Sequence, residues 1–316
     1  MTKAKEFTTV LETLLNSTDL FDAGTVYGLS GLDRAQIDRL REVWPQIAVE
    51  RRRTLIQHLN DVSEANFEMD FQSINHMALS DPDSEVRRYA IEGLWEDESV
   101  PYMYRLVEII RSDPSQDVRA AAIIELGRFV LLGEYGNISA SDARLAQDTV
   151  LHVLHSNEDN DLRRRALEAI ANCGRAGTHD LIREFYAHDD LAMRMSALFA
   201  MGRTCDDIWA AEIIEELNGT IPEMQYEAAR AAGHIQLEEA LPHLIRLIDQ
   251  TDDTEVLEMA IWALGEIGGD RARDVLMRII EQAEADGDEE ILAAAEEALD
   301  AASLAGGDLL MFDFEP

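Results

Sequence analysis

One short pattern returns along this chain often enough to decide what it folds into. DPDSEVRRYAIEGL at 81–94 recurs as DPSQDVRAAAIIELG from Asp113, EDNDLRRRALEAIA from Glu158 and DDLAMRMSALFAMG from Asp189. Weaker copies begin at Thr220 (TIPEMQYEAARAAG), Thr251 (TDDTEVLEMAIWALG) and Asp286 (DGDEEILAAAEEAL), and an atypical first copy, QIAVERRRTLIQHL, ends at Leu59. The apolar anchors of the later copies are Val86, Val118, Leu162, Met193, Met224, Val256 and Ile291, at spacings of 32, 44, 31, 31, 32 and 35 residues. That period belongs to helical-hairpin repeats, in which a unit buries its apolar side only by stacking on its neighbours.

Each copy reads as the second helix of a hairpin. Four residues after the anchor stands Ala90, Ala122, Ala166, Ala197, Ala228, Ala260 or Ala295, a small side chain that lets a neighbouring helix come close. Leu94, Leu126, Ile170, Met201, Leu264 and Leu299 continue the same stripe. Asp83, Ser115, Asp159, Asp190, Asp253 and Asp288 are placed to cap the helix N-terminus, where a side-chain oxygen satisfies orphan backbone N–H groups. Gly127, Gly202, Gly233 and Gly265 follow the stripe and are expected to terminate the helix. First helices occupy the intervals, as in LPHLIRLID at 241–249 and ARDVLMRIIEQA at 272–283.

The pattern D-P-x-x-x-V-R-x-x-A-x-x-x-L-G resembles HEAT repeats, in particular the short HEAT-like repeats of phycobilisome lyases, over roughly residues 40–300. The resemblance implies an all-α fold, a right-handed α-solenoid of about eight helix-turn-helix repeats with the second helices lining the concave face. It also implies that the arginine after each anchor, Arg52, Arg87, Arg119, Arg163 and Arg194, joins a ladder with aspartates of neighbouring turns. The ladder position becomes Gln225, Leu257 and Leu292 in the last three units. Apolar packing alone is then expected to hold those units.

Three segments depart from the repeat. Residues 1–39, with FDAGTVYGLSGLD between helical stretches, are expected to cap the array; residues 40–302 form the solenoid. Residues 131–146, LLGEYGNISASDARLA, account for the spacing of 44 and are expected to form a loop on one rim. Residues 303–316 form an acidic and apolar tail in which Leu310, Phe312 and Phe314 alternate with Met311, Asp313 and Glu315, the period of an extended strand with one apolar edge. Leu309, Leu310, Met311, Phe312 and Phe314 are therefore candidate partner-binding residues, or a cover for the last hairpin. Two short resemblances fall there: DLLMF at 308–312 is similar to the pentapeptide that engages the bacterial sliding clamp, with Asp308 in place of Gln, and LLMFD at 309–313 to the clathrin box.

Charge limits the partners. Against 63 Asp and Glu stand 27 Lys and Arg, a formal net charge of −36, and only Lys3 and Lys5 are lysines. Phosphate binding requires Lys and Arg to displace counterions, so nucleic acid and anionic lipid are disfavoured; the charge fits either a basic protein or peptide partner or the plain need to keep a long solenoid soluble and monomeric. No apolar run is long enough to span a membrane and MTKAKEFTTVLETLLNSTDL lacks a secretory signature, which together point to a cytoplasmic protein. Cys173 and Cys205 are too few for a disulfide framework.

Little in the sequence marks catalysis. His152 and His155 share a helix face but lack further ligands, and the His-Glu dipeptides of deoxyhypusine hydroxylase are missing, so neither a metal site nor a cofactor is expected. No glycine-rich phosphate loop or nucleophile elbow occurs. The sequence therefore reads as a non-catalytic protein-interaction scaffold, adaptor or assembly factor for a basic partner. The alternative that the resemblance brings is a phycobilin-lyase-like subunit or chromophore-protein chaperone.

Overall fold

Alternating first and second helices run through the computed structural model, which describes residues 4–16, 21–156 and 158–305. Three helices open the chain: α1 (Phe7–Asn16), α2 (Ala23–Tyr27) and α3 (Arg34–Val43). Then come α4 (Val49–Ala65), α5 (Gln72–Ala78), α6 (Ser84–Glu92), α7 (Val100–Ser112), α8 (Gln116–Glu134), α9 (Ala140–Leu154) and α10 (Asn160–Ile170). The remainder is α11 (Thr178–Tyr186), α12 (Leu191–Arg203), α13 (Ala210–Leu217), α14 (Pro222–His234), α15 (Leu241–Gln250), α16 (Thr254–Ile267), α17 (Asp270–Asp286) and α18 (Glu289–Ala305). Among the described residues no strand occurs, and the pairs from α3/α4 to α17/α18 follow the repeat, an all-α solenoid.

The chain divides into two compact units, Met1–Ala169 and Ile170–Pro316. In the first, α4, α6 and α8 pack in succession; in the second, α12, α14, α16 and α18 do so, with α11, α13, α15 and α17 packed against their partners. The anchors form the core: Val86, Val118, Met193 and Met224 are fully buried, and so is every alanine four residues later. Residues of period 3.6 thus bury one stripe per helix, the pattern that makes a hairpin stable only within a stack.

Capping follows the expected aspartates. The carboxylates of Asp83, Asp190 and Asp253 accept from backbone N–H groups in the first turn of α6, α12 and α16. Asp288 accepts from Ile291 N and Asp159 from Asp161 N. Ser115 differs: its hydroxyl makes no cap bond, and its own N–H donates to the Asp113 carboxylate at 2.9 Å.

Two expectations are corrected. Gly127, Gly202, Gly233 and Gly265 do not end their helices; each lies inside α8, α12, α14 or α16. They are sites of close approach, because an added Cβ would lie 2.9 Å from Ala169 Cα, 2.8 Å from Ala231 Cα, 2.5 Å from the Trp262 ring or 2.8 Å from Ala298 O, respectively. A glycine nine residues after the anchor, directly following the stripe, is what lets successive second helices come together. The second correction concerns residues 131–146. Most of this segment is helix: α8 runs on to Glu134 and α9 starts at Ala140, leaving five residues between them. Extra length in the repeat is absorbed by extending the hairpin's helices, since intrahelical bonds satisfy the added backbone groups.

At the N-terminus α3 packs on α1 and α5. Asp33 and Gln36 form a reciprocal capping box at the start of α3. Lys5 bonds Asp22 and Thr25, and the Lys5 hydrogen bond holds the Asp22 carboxyl at about 2.

Candidate functional site

Four of the arginines after the anchors, Arg52, Arg87, Arg119 and Arg194, reach an acid of the following hairpin. Arg52 meets Asp81 at 3.2 Å, and the fully buried Asp81 carboxylate also accepts from Trp44 Nε1 at 2.6 Å and from Asp83 N. Arg87 donates to Asp81 O and grips Asp113 through two bonds of 2.8 Å, with both side chains about nine-tenths buried. Arg119 is bidentate on Glu158, at 2.7 and 3.2 Å. Arg163 donates to Leu154 O and Asn160 Oδ1. Arg194 reaches Glu216 at 2.7 Å, and the same carboxylate oxygen accepts from Tyr186 Oη, a phenol whose proton burial and Glu216 hold in place. Planar guanidinium forks suit such partly dry carboxylate pairs better than lysine would, which explains an arginine at the steps held by Asp81, Asp113, Glu158 and Glu216.

At the sixth unit Gln225 turns back to Gly219 O at 2.9 Å. A pocket of about 630 Å³ opens beside it, bordered by Asn218, His243 and Arg246. Its polar groups already bond one another: Asn218 Oδ1 accepts from Arg246 at 2.8 Å and faces His243 Nδ1 at 3.0 Å.

Away from this buried ladder, the second helices present another polar face. On α6, Arg88 pairs with Glu92; on α8, Arg128 with Glu125; on α10, Arg165 with Glu168; on α14, Arg230 with Glu227. Burial raises the Glu125 carboxyl, and Arg128 opposes that rise. Each of these pairs lies at one-turn spacing on a single helix.

The last two second helices carry no arginine to make such a pair. α16 reads TEVLEMAIWALGEI and α18 EEILAAAEEALDAASLA, without one Lys or Arg. Between α14, α16 and α18 lies a groove of about 580 Å³. Tyr226, Met259 and Trp262 give it an apolar wall, Ala294, Ala298 and Ala301 a small-residue side, and Glu255, Glu258, Glu266 and Glu297 its charge. None of these four carboxylates has an ion-pair partner among the described residues. Trp262 is fixed from behind: a Cβ on Gly233 would meet its ring at 2.5 Å, and His234 packs edge-on at 5.1 Å between centroids. Burial, with Arg230 and Arg203, lowers the His234 imidazole, so it sits beside the indole uncharged at neutral pH.

The tail residues Leu309, Leu310, Met311, Phe312 and Phe314 lie outside the described residues. The groove was not singled out from the sequence, although its signal is there: a tryptophan with glutamates one turn to either side, in a helix with no basic residue. Among the described residues no group of three or more His, Cys, Asp or Glu side chains is placed to hold a metal ion. No described helix is long and apolar enough to cross a membrane.

Stacked helical hairpins bound by an arginine-acid ladder define the class of the protein, a helical-repeat solenoid. Residues 210–300 match the family described as HEAT repeats. Among curated proteins none matches the sequence. Solved structures similar to this chain include importin beta, at 17% identity and a TM-score of 0.48 over 95% of this chain and 45% of that one. Another is YibA of E. coli, at 16% identity and a TM-score of 0.47 over 90% and 99% of the two chains. A designed armadillo repeat protein in complex with a (KR)4 peptide is similar at 17% identity and a TM-score of 0.42, over 63% of this chain and 99% of that one.

Proposed function

We propose that the protein is a non-catalytic interaction scaffold, an adaptor or assembly factor whose partner presents a basic surface, and that the second-helix face of the C-terminal unit is where the partner sits. One observation carries this reading: Glu255, Glu258, Glu266 and Glu297 of α16 and α18 border an apolar groove without an ion-pair partner among the described residues, while Glu92, Glu125, Glu168 and Glu227 each pair with an arginine on their own helix. Carboxylates left unpaired lower stability slightly through mutual repulsion, and a cationic partner relieves that repulsion while the field of a −36 chain speeds its encounter. The same field repels nucleic acid and anionic membrane, which keeps both out of the proposed partner list.

Carboxylate-directed crosslinking in native extract, at low and at high salt, tests the proposal. Crosslinks should run from acids of α16 and α18 to Lys-rich or Arg-rich segments of one or a few proteins and fade as salt rises. Crosslinks confined to α5–α9, or reaching partners without basic segments, would remove the reading.

A further inference from the structure

The second helices contain their own example of how an aromatic on this face is used. Phe199 lies six residues after its anchor Met193 on α12, and Arg230, six after Met224 on α14, places its guanidinium 4.4 Å from the Phe199 ring centroid. Trp262 holds the same register on α16, six residues after Val256. The residue in Arg230's register on the following helix is Glu297, beside Ala298 and Ala301. At this step, therefore, the chain offers the better cation-binding ring and, among the described residues, no cation to cover it.

The surroundings of Trp262 favour a positive group. Glu258 and Glu266 lie one turn before and one turn after it on α16, which puts their Cβ atoms about 5–6 Å from that of Trp262. Glu297 approaches from α18 and Tyr226 adds a second ring from α14. Gly233 and His234 hold the indole against α14, so its orientation is set before any ligand arrives. The alanines of α18 keep the opposite side of the groove open to a long side chain.

We infer that this groove is a recognition pocket for an arginine side chain of a partner's extended basic segment, stacked on Trp262 and flanked by Glu258, Glu266 and Glu297. The inference rests on the basic-partner reading above and makes it specific to one pocket. Guanidinium suits the pocket because its flat, weakly hydrated face covers an indole while its edge donates to carboxylates.

The test is calorimetric titration of the full chain with the peptide acetyl-(Gly-Arg)4-amide, against the same peptide with citrulline for arginine. Wild type should bind the arginine peptide and not the neutral one, with affinity falling as salt rises. Trp262→Leu should weaken binding at least tenfold without altering net charge. Glu297→Arg installs the chain's own cation in the register of Arg230, so it should block the peptide at least tenfold while leaving the melting temperature near wild type. Glu239→Arg, the same charge change on an exposed turn, should alter affinity less than threefold. If Trp262→Leu loses its fold by circular dichroism, Glu297→Arg and Glu239→Arg decide the matter alone. Equal binding by wild type and Glu297→Arg, or equal losses in Glu297→Arg and Glu239→Arg, overturns the pocket while leaving a basic partner possible elsewhere on the chain. Failure of wild type to bind the peptide overturns the pocket as well, and the crosslinking experiment then judges the broader reading separately.

Discussion

The first and last second helices of this array solve the same packing problem with different chemistry. In the N-terminal unit, Arg52, Arg87 and Arg119 carry charge across to the acid at the next turn, and Glu92, Glu125 and Glu168 are matched by arginines on their own helices. In α16 and α18 the ladder position holds Leu257 and Leu292, small residues and a glycine bring the helices together, and the acids have no ion-pair partner among the described residues. Buried ion pairs add little net stability, but they fix register and neutralise the charges they join. Apolar packing holds the helices equally well and frees the outer face to carry an uncompensated field. The difference separates a part of the solenoid that is electrostatically closed from a part that is open.

Substitutions that break this contrast should differ in size. Arg87→Ala strands the buried Asp113 carboxylate and should cost about 3–5 kcal/mol in chemical denaturation, whereas Gln225→Ala, at the ladder position of the sixth unit, should cost under about 1 kcal/mol. Equal losses would show that the ladder is not what distinguishes the two regions. Next in size is Gly265→Val, which drives a branched side chain into the Ala298 backbone and should cost about 1–3 kcal/mol. Gly31→Ala, with no atom within 4 Å of the added Cβ, serves as a contrast in which only the strain of its positive φ of 64° is felt. Removing a cap is smaller again: Asp253→Ala should cost about 1 kcal/mol and Ser115→Ala, which loses no cap bond, within about 0.5 kcal/mol of nothing.

The smallest effect is electrostatic. Hydrogen bonds from Arg53 hold the Asp83 carboxyl below its ordinary value of 3.8, and a carboxyl depressed on folding contributes stability that is complete above that value and is lost as pH falls beneath it. Arg53→Ala should therefore lose a little stability at neutral pH, a small loss because Arg53 is more than a third exposed, and should show a shallower acid slope than wild type in melts run from pH 5 to pH 2.

Much of this fold was legible because one constraint, the stripe of anchor and alanine, is local and repeated. Val118 and Ala122 predict burial without knowledge of any neighbour, and Asp83 or Asp253 predicts a cap from its place before the stripe. The glycines were misread because their role is not local. Gly127 and Gly265 in sequence look like helix ends, and only the approach of Ala169 and Ala298 shows that they are contact points. The rim segment was misread for a related reason: Gly133, Gly136 and Asn137 suggest a loop, yet α8 continues past Gly133, where Ala143 of α9 would lie 2.5 Å from an added Cβ. The groove required three helices to be placed side by side, since Tyr226, Trp262 and Ala298 are far apart in the chain. The ladder arginines came from a resemblance, and their partners Asp81, Asp113, Glu158 and Glu216 are known only once the hairpins are stacked.

Hydrogen exchange of the full chain, alone and saturated with acetyl-(Gly-Arg)4-amide, tests the division between a closed and an open region most directly. The account predicts slowed exchange in α16 and α18, residues 254–267 and 289–305, with α6 and α8 unchanged. Protection spread evenly over both units, or concentrated on α6 and α8, would contradict it.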